Sequence, residues 1–291
     1  MPKVSVIMPA YNVEKYIGEA IESVLNQTFS DFEFIIINDG STDDTANIIK
    51  HYAKQDKRIK FIDNKENRGF IARLNDCLDV ACGEYLAKMD SDDISLPERL
   101  EKQVEFLDAN PDVGMVGCGY KKFGAEDNVV LNKKYVGIID FMYGCKTTIF
   151  MARRKIIEDN NLRFDSGYFA AEDMDFYSRF ARFAKIANLQ SVLYLYRCHG
   201  KNVSVQKADI QHQTTERIRK NVADFLTCDE YVKDKFLKKY RWVRFFGIPV
   251  IKIKTYNLQR VKYYLFGVVP LTLVENGYVY MFGFIKIGII K

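Results

Sequence analysis

The fold is decided at Tyr85-Leu86-Ala87-Lys88-Met89-Asp90-Ser91-Asp92-Asp93, where a short apolar run ends in three carboxylates within four residues. The apolar run predicts a buried strand. Carboxylates crowded at a strand end stay ionised best with a cation among them, and oxygen ligands indicate a hard metal such as Mg²⁺ or Mn²⁺. Ser95 and Glu98 have the spacing of a capping box for the next helix, with Pro97 in its first turn. An alternative to the metal site is a solvated acidic loop in which Asp93 or Ser95 caps that helix.

Strands and helices alternate before this segment. The predicted strands are Val4 to Met8, Phe32 to Ile37 and Ile59 to Ile62. The predicted helices are Glu14 to Asn26, a helix capped by Ser41 or Thr42 that runs to about Lys54, and roughly Phe70 to Ala81. This alternation predicts an α/β fold, with a mostly parallel central sheet covered by helices on both faces. Gly40 permits the turn after the second strand.

Polar residues follow the predicted strand ends. Tyr11 comes after the first strand, Asp39 after the second, and Asp90 and Asp92 after the fourth. In sheets of this kind, ligands bind beyond the carboxyl ends of the strands. The pattern therefore favours a nucleotide site over an idle acidic loop.

Several nucleotide- and metal-binding motifs are absent from the sequence. No G-x-x-x-x-G-K-[ST] run occurs, so a P-loop is excluded, and no G-x-G-x-x-G run follows the first strand. An EF-hand does not fit, because Ile94 stands where a ligand belongs. What remains is a fold that holds a diphosphate through a divalent metal.

The charge is divided unevenly along the 291 residues. Residues 201–291 hold 17 Lys/Arg against 7 Asp/Glu, whereas the first 200 residues hold 26 against 31. The hydrophobic content of 48% and the charged content of 28% are typical of a globular protein, either one large domain or a domain with an appendage. The basic tail predicts an anionic partner such as a membrane surface.

The cysteine pattern and the apolar runs predict a location. Six scattered cysteines with no C-x-x-C pair indicate free thiols in a reducing compartment. The first residues lead straight into a strand, so we expect no signal peptide, and no apolar run approaches the roughly 20 residues of a membrane span. We therefore expect a cytoplasmic protein, peripheral on the inner face of the cytoplasmic membrane.

Several motifs, in this order, resemble glycosyltransferase family 2. They are Val4-Ser5-Val6-Ile7-Met8-Pro9-Ala10-Tyr11-Asn12, Gln27-Thr28-Phe29, Asn38-Asp39-Gly40-Ser41-Thr42-Asp43, Asp90-Ser91-Asp92-Asp93, Ala171-Glu172-Asp173 and Tyr196-Arg197-Cys198-His199. The resemblance covers about residues 3–205. It implies a GT-A catalytic domain over 1–205, with a nucleotide-sugar half at about 1–110 and an acceptor half at about 111–205. Such enzymes transfer a sugar from a nucleotide sugar with inversion at the anomeric carbon.

The resemblance also implies a nucleotide-sugar site. Tyr11 would stack on uracil, and Asp39 would accept a hydrogen bond from the ring N–H. Arg73 falls where the family has a basic residue near the nucleotide, with an ordinary solvated helix arginine as the alternative. The residues implied to bind the nucleotide sugar are Pro9, Tyr11, Asp39, Asn67, Arg73, Asp90, Ser91 and Arg197.

The metal ligands and the catalytic base are implied in the same way. Asp90 and Asp92 resemble the D-x-D pair, with Asp92 as the direct ligand of Mn²⁺ or Mg²⁺, and His199 falls beside the metal or the diphosphate. Asp173 resembles the general base, and Asp175 is expected to face elsewhere. The alternatives are a structural histidine and acidic residues that only complement a helix dipole.

The acceptor half and the tail are less regular. Predicted strands in the acceptor half are Val113 to Val116, Val129 to Leu131 and Thr147 to Met151. Residues 206–240 predict a basic helical segment, and 241–291 repeat an aromatic-Gly-aliphatic unit at Phe246-Gly247, Phe266-Gly267 and Phe282-Gly283. Basic residues beside aromatics suit docking on an anionic membrane, and packing on the body or on another subunit is the alternative.

These features together predict a metal-dependent, inverting transferase that builds a bacterial surface glycan such as lipopolysaccharide or capsule. The expected partners are a nucleotide sugar, with UDP as the nucleotide, and a glycan or lipid-linked glycan acceptor; no nucleic acid is expected. Transfer to a polyprenyl phosphate is an alternative. A non-catalytic nucleotide-sugar-binding or membrane-scaffold protein is another, and nucleotidyl transfer is disfavoured because its glycine-rich first loop is missing.

Overall fold

Two compact units make up the chain, Met1–Val222 and Ala223–Lys291. The computed structural model describes residues 1–143, 149–200, 202 and 206–226, together with the backbone of six strands between 240 and 289. None of the described helices is both long enough and apolar enough to cross a bilayer.

The first unit alternates strands and helices along its amino-terminal half. Its strands are β1 (Val4–Ala10), β2 (Phe32–Asp39), β3 (Ile59–Asn64), β4 (Tyr85–Lys88), β5 (Ile94–Ser95), β6 (Val113–Gly124), β7 (Val129–Val130), β8 (Tyr135–Val136), β9 (Met151–Arg153) and β10 (Lys185–Cys198). Its α-helices are α1 (Ile17–Leu25), α2 (Thr45–Gln55), α3 (Phe70–Val80), α4 (Arg99–Ala109), α5 (Arg154–Asp159), α6 (Glu172–Phe180) and α7 (Ala208–Leu226), which continues into the second unit. Short 3₁₀ helices are Ile138–Tyr143 and Ser166–Tyr168.

A ten-stranded sheet forms the centre of this unit. The strand order is β3-β2-β1-β4-β9-β6-β10-β5, with β7 paired to β6 and β8 paired to β10. Strands β1 to β4 are parallel, as are β6 and β10, whereas β9 runs antiparallel to both β4 and β6. The predicted α/β class with a mostly parallel central sheet is therefore confirmed.

Burial explains why the amino-terminal strands read as continuous apolar runs. Every residue of β1 and β2 is buried, as expected for parallel strands with helices on both faces. Helix α1 buries Ile17, Ala20, Ile21 and Val24, which recur at helical spacing. Gly40 ends β2 with a φ of 70°, and a Cβ there would lie 2.9 Å from the backbone N of Asn67, so the turn requires glycine.

The predicted cap of the helix after the acidic cluster is wrong. Helix α4 begins at Arg99 without a side-chain cap, and Ser95 lies in β5. The Ser95 hydroxyl accepts from Gln27 Nε2 at 3.0 Å, and its N–H donates to Ser23 Oγ at 3.0 Å. Asp93 accepts from the backbone N–H of Arg197 at 2.7 Å. These distant partners compete successfully with the local cap.

The predicted cap of the second helix is wrong for the same reason. Helix α2 begins at Thr45, whose N–H donates to the Asp43 carboxylate at 3.0 Å. The Ser41 hydroxyl accepts from the N–H of Asn12 at 3.0 Å, and the Asn12 side chain accepts from the N–H of Thr42 at 2.8 Å. Ser41 and Thr42 therefore tie the loop after β2 to the loop after β1.

Strands of the acceptor half differ in extent from the prediction. The strand predicted at Val113 to Val116 continues to Gly124, because β10 pairs with it along its length. The strand predicted at Thr147 to Met151 is observed at Met151–Arg153. Residues 144–148, which include the Lys146-Thr147 pair, lie outside the described residues.

The second unit contains an antiparallel meander. Its strands, in spatial order, are β11 (Tyr240–Phe245), β12 (Ile248–Asn257), β13 (Arg260–Leu265), β14 (Val269–Leu273), β15 (Tyr278–Met281) and β16 (Ile285–Ile289). The aromatic-Gly pairs Phe246-Gly247, Phe266-Gly267 and Phe282-Gly283 lie outside the described residues, as does the segment 227–239 of the predicted basic helix.

Candidate active site

The parallel strands bring their polar carboxyl ends to one edge of the sheet. Ala10 at the end of β1 is opposite Asn38 in β2, and Asp39 is opposite Asn64 in β3. On the other side of β1, Lys88 ends β4 opposite Ile7. The loops that carry the predicted site residues therefore leave the sheet side by side.

Asp39 is buried and holds the loop before α3. Its carboxylate accepts from the backbone N–H of Arg68 at 2.8 Å, from that of Gly69 at 2.9 Å and from Arg73 Nε at 2.6 Å. Arg73 is 2% exposed and also donates to Asp76 and to the backbone carbonyl of Glu66. The solvated alternative for Arg73 is therefore wrong, and its guanidinium fixes Asp39.

Tyr11 is the exposed aromatic at this edge, with 46% of its surface accessible. It follows β1 directly, and the next residue, Asn12, has a left-handed φ of 51°. Pro9 is buried in β1. Asn67 is exposed, and its side-chain oxygen accepts from the N–H of Gly69 at 3.1 Å. A planar ring on the open edge beside a buried carboxylate can bind a nucleobase by stacking and hydrogen bonding.

Lys88 joins two acidic residues that are far apart in the sequence. Its Nζ lies 2.9 Å from Asp173 Oδ2 and 3.1 Å from Asp90 Oδ1, and the residue is 3% exposed. Burial disfavours the ammonium, but the charges of Asp173 and Asp90 outweigh it and hold the pKa of Lys88 well above its usual range. A buried cation thus links the D-x-D segment to the first turn of α6.

The acidic first turn of α6 is electrostatically strained. Burial raises the pKa of Asp173, and the Lys88 ammonium opposes that shift. Burial and then the charge of Asp173 raise the pKa of Glu172 to about 7. Among the described residues, Asp173 Oδ1 and the buried hydroxyl of Tyr177 make no hydrogen bond. A carboxylate with a raised pKa and an unshared oxygen is chemically suited to accept a proton. Asp175 instead pairs with Arg179 at 2.5 Å.

Asp92 and His199 form a second contact of the acidic loop. Asp92 Oδ2 and His199 Nε2 lie 3.0 Å apart, and the imidazole stacks on the ring of Tyr16 at 5.1 Å. The backbone N–H of His199 donates to Asn202 Oδ1 at 2.6 Å. Burial and the charge of Asp90 raise the pKa of Asp92, whereas His199 lowers it.

The spacing of Asp92 and His199 can be compared with that of two metal ligands. Adjacent ligands of an octahedral Mg²⁺ or Mn²⁺, at about 2.1 Å from the ion, lie about 3.0 Å apart, and this is the spacing of the two atoms. The described residues contain no group of three or more His, Cys, Asp or Glu that could hold a metal. An ion held by this pair would fill its remaining positions with water and substrate phosphates.

Arg197 braces the acidic loop. Its Nε donates to the backbone carbonyl of Asp92 at 2.7 Å, and its guanidinium also pairs with Glu19. The same group lies over the rings of Tyr16 and Phe123, at 4.9 and 4.5 Å from their centres. Through these contacts Arg197 fixes the loop that carries Asp92. Ser91, within that loop, is partly exposed.

Sequence reasoning missed Lys88, Glu172 and Tyr177 as members of this site. One signal was available for Lys88, because a lysine inside an otherwise apolar, buried strand needs a partner for its charge. For Glu172 and Tyr177 the signal was weaker. Their positions on either side of Asp173, one and four residues away, indicate the same helix region but not which side chains point inward.

Comparisons with known proteins identify the family of this chain. The sequence profile described as glycosyl transferase family 2 matches residues 5–180. An uncharacterized glycosyltransferase of Haemophilus influenzae is 36% identical over 241 residues, which cover 77% of this chain and 75% of that protein. The O-antigen biosynthesis glycosyltransferase WbnJ of Escherichia coli is 32% identical over 246 residues, which cover 81% and 89%.

A solved structure supports the fold. The S. aureus TarS fragment 1–349, in complex with UDP-GlcNAc, superposes with a TM-score of 0.67 at 24% identity and covers 81% of this chain and 71% of that chain. At this identity the likeness concerns the fold. The profile match extends over more than half of the chain and ends at the last residue of α6. This chain therefore belongs to glycosyl transferase family 2 and has the GT-A fold of that family.

Proposed function

We propose that this protein is a metal-assisted, inverting glycosyltransferase that moves a sugar from a UDP-sugar to a hydroxyl of a growing bacterial surface glycan. The observation that carries the proposal is the Lys88 bridge, in which one ammonium contacts Asp173 at 2.9 Å and Asp90 at 3.1 Å. The bridge joins Asp173 to the D-x-D segment. Asp173 is suited to take up a proton, and the D-x-D segment is where the leaving diphosphate would be bound.

The nucleotide half of the proposal rests on Tyr11 and Asp39. A carboxylate offers about four acceptor positions, and Asp39 accepts three hydrogen bonds from Arg68, Gly69 and Arg73. The remaining position can accept the ring N–H of uracil while Tyr11 stacks on the base. The UDP-GlcNAc bound to TarS, a protein of the same fold, supports UDP as the nucleotide.

Asp173 is the general base in this proposal. The acceptor hydroxyl gives its proton to the carboxylate as its oxygen attacks the anomeric carbon from the face opposite UDP. The bond from that carbon to the diphosphate oxygen breaks, and the configuration is inverted. Lys88 keeps Asp173 ionised and oriented before the attack. A positioned base contributes on the order of 10²–10⁴-fold to such a step.

Asp92 and His199 would hold the Mn²⁺ or Mg²⁺, with Asp90 beside them. When bound, the ion neutralises charge that develops on the diphosphate leaving group. Arg197 keeps the Asp92 loop in place through the backbone carbonyl of Asp92. The stacking of His199 on Tyr16 fixes the plane of the imidazole.

A surface glycan as product is supported by the relative WbnJ, which is named for O-antigen biosynthesis.

The second unit adds an argument for the membrane. Residues directly opposite each other in an antiparallel pair share a face of the sheet. The register therefore places lysines and aromatic residues on one face, at Trp242, Lys252, Lys254, Lys262, Tyr264, Tyr280 and Lys286. Such a face suits the anionic inner leaflet of the cytoplasmic membrane.

Thermal unfolding with a panel of UDP-, GDP-, CMP- and TDP-sugars, each with Mn²⁺ and with chelator, tests the proposal. A ligand at 100 times its dissociation constant adds about 2.7 kcal/mol to the stability of the protein. We expect a manganese-dependent rise in Tm with a UDP-sugar. Stabilisation by another nucleotide sugar would contradict UDP, and no stabilisation by any of them would favour a scaffold protein over an enzyme.

A further inference from the structure

The turn that precedes Asp173 contains a strained residue. Ala170 has a φ of 68°, in the left-handed region, and is 6% exposed. A residue other than glycine is strained in this region and keeps such a backbone only when its surroundings determine its conformation. The contacts around Ala170 therefore identify what holds the first turn of α6.

Two side chains of α7 hold both peptide groups that flank the Cα of Ala170. Gln211 Nε2 donates to the carbonyl of Ala170 at 2.9 Å, and Thr214 Oγ1 donates to the carbonyl of Phe169 at 3.3 Å. Because the two carbonyls lie on either side of this Cα, fixing them fixes both φ and ψ of Ala170. The next residue, Ala171, is the N-cap of α6.

The same face of α7 continues along the loop. The Arg217 guanidinium donates to the carbonyl of Gly167 and lies 4.3 Å from the centre of the Tyr168 ring. Asn221 Nδ2 donates to the hydroxyl of Tyr168 at 2.6 Å. These side chains recur every three or four residues with Gln211 and Thr214, which is the spacing of one helix face. Consecutive residues of one loop are thus bound by one helix.

Helix α7 is itself anchored in the first unit. Ile218 is 1% exposed and Val222 is fully buried. They recur with the loop-binding residues along the helix, so the helix is a fixed support. A displacement of Ala170 would rotate the first turn of α6, and Asp173 lies in that turn. Small displacements of a catalytic group are costly, and about 1 Å can reduce a rate about 100-fold.

We propose that α7 positions the general base: Gln211 and Thr214 hold the left-handed turn at Ala170 and thereby aim Asp173 at the acceptor. The inference rests on the proposed function, which assigns Asp173 as the base. Lys88 restrains the Asp173 carboxylate from β4, and α7 restrains the backbone that carries it. Gln211 and Thr214 are positioning residues, since they act through the turn and not on the substrate.

The double variant Gln211→Ala/Thr214→Val removes both hydrogen bonds, and the chain offers a matched control. Gln213→Ala/Thr215→Val makes the same two changes in the same helix, at an exposed and a partly exposed position that make no bond to the turn within the described residues. Both variants are studied in the full chain. The measurements are amide hydrogen exchange over residues 167–173, affinity for UDP with Mn²⁺, and kcat and KM for UDP-GlcNAc, or for the UDP-sugar that stabilises the protein most.

We expect exchange over residues 167–173 to become at least about tenfold faster in the first variant and to stay at the parent rate in the control. We also expect kcat to fall about ten- to a hundredfold, with KM for the donor and affinity for UDP within about twofold of the parent. Thr214→Ser, which keeps the hydroxyl, should restore most of kcat when compared with Thr214→Val.

Equal exchange over residues 167–173 in the two double variants would overturn the inference, as would equal kcat values. A fall in UDP affinity together with kcat would also overturn it, because that pattern indicates general loss of structure. The variant Asp173→Asn separates this failure from failure of the proposed function. If Asp173→Asn retains the parent rate, the assignment of the base is wrong. If Asp173→Asn is inactive but the two double variants have equal kcat values and equal exchange rates, only the role of α7 is wrong.

Discussion

Lys88 Nζ lies 2.9 Å from Asp173 Oδ2, although 85 residues separate them in the sequence. The lysine is buried at the end of the parallel strand β4, and the aspartate lies in the first turn of α6. The buried ammonium is not stable in such a place without a carboxylate partner, whereas the Asp173 side chain is 35% exposed. The ion pair therefore links β4 directly to the first turn of α6.

Lys88→Met should destabilise the protein and reduce transfer. Removing the ammonium leaves Asp173 and Asp90 without a counter-charge, and because both carboxylates are partly exposed the cost is about 1–3 kcal/mol, below that of a fully buried pair. We expect a loss of this size in the free energy of unfolding, measured with urea, and a fall of about 100-fold in the transfer rate. Lys60→Met is a suitable control, since Lys60 pairs with the buried Glu33 away from the site. Equal rates in the two variants would contradict the role of Lys88.

Asp173→Asn should abolish transfer while affinity for UDP stays within a few-fold of the parent. The amide keeps the shape of the side chain but cannot accept the proton of the acceptor hydroxyl, and loss of a general base costs on the order of 10²–10⁴-fold. Asp175→Asn is the matched control, because Asp175 is buried on the same helix and pairs with Arg179. It should lower stability and leave most of the transfer rate. Transfer near the parent rate in Asp173→Asn would exclude Asp173 as the base.

The pKa of Glu172 predicts a pH dependence of stability. In the folded protein burial, followed by the charge of Asp173, raises this pKa from 4.5 to about 7. Between these values the folded state keeps a proton that the unfolded state has lost, so the stabilisation present at low pH is lost as the pH rises through 7. Glu172→Gln removes this loss in the free energy of unfolding, which is about 3 kcal/mol across the pH range between the two pKa values.

Thermal unfolding from pH 4.5 to 8 measures that difference. The Tm of Glu172→Gln minus the Tm of the parent should increase as the pH rises to about 7, and it should stay constant above that pH. The variant Glu158→Gln tests an exposed glutamate that pairs with Arg154 and should show no such rise. A constant difference between Glu172→Gln and the parent across the range would be incompatible with the raised pKa.

His199→Asn should weaken binding of Mn²⁺ in the presence of UDP. The imidazole is one of two groups whose spacing fits adjacent ligands, and loss of one ligand or its support reduces metal affinity by about 10–100-fold. His51→Asn serves as the control, because His51 is exposed on α2 and contacts Gln55. Titration calorimetry of Mn²⁺ into the protein with UDP is the measurement. Identical affinities in both variants would remove His199 from the metal site.

The lysine face of the second unit should bind anionic vesicles. Each basic residue near such a surface contributes about 1 kcal/mol, so neutralising four of them should reduce vesicle binding by at least about tenfold. The four changes to glutamine are at Lys252, Lys254, Lys262 and Lys286. The control changes four exposed lysines of the first unit, Lys50, Lys54, Lys57 and Lys207. Cosedimentation with phosphatidylserine vesicles compares the four-glutamine variant with its control. In a second experiment, removal of residues 241–291 should release the protein from the vesicles while sparing UDP binding. Unchanged cosedimentation of the truncated protein would rule out a membrane role for the tail.

Local patterns were sufficient for the layered fold. Strand β2 reads as a buried parallel strand because all its residues are enclosed, and α1 shows its buried side at every third or fourth residue. Burial periodicity and the backbone freedom of glycine both act over a few residues. The turn at Gly40 could therefore also be predicted from the sequence. The alternation of these elements then leaves few arrangements other than a parallel sheet with its polar ends on one edge.

Contacts between distant segments required the tertiary structure. A capping box at Ser95 is a sound local expectation, yet the hydroxyl binds Gln27, 68 residues away. The strained turn at Ala170 and its support by Gln211 have no local signature either. The sequence by itself determined the fold class, because burial periodicity acts over a few residues, and the family, because its motifs occur in the expected order. Only the tertiary structure decided which charges meet, as Lys88 meets Asp173, because pairing of buried charges depends on packing between segments that are remote along the chain.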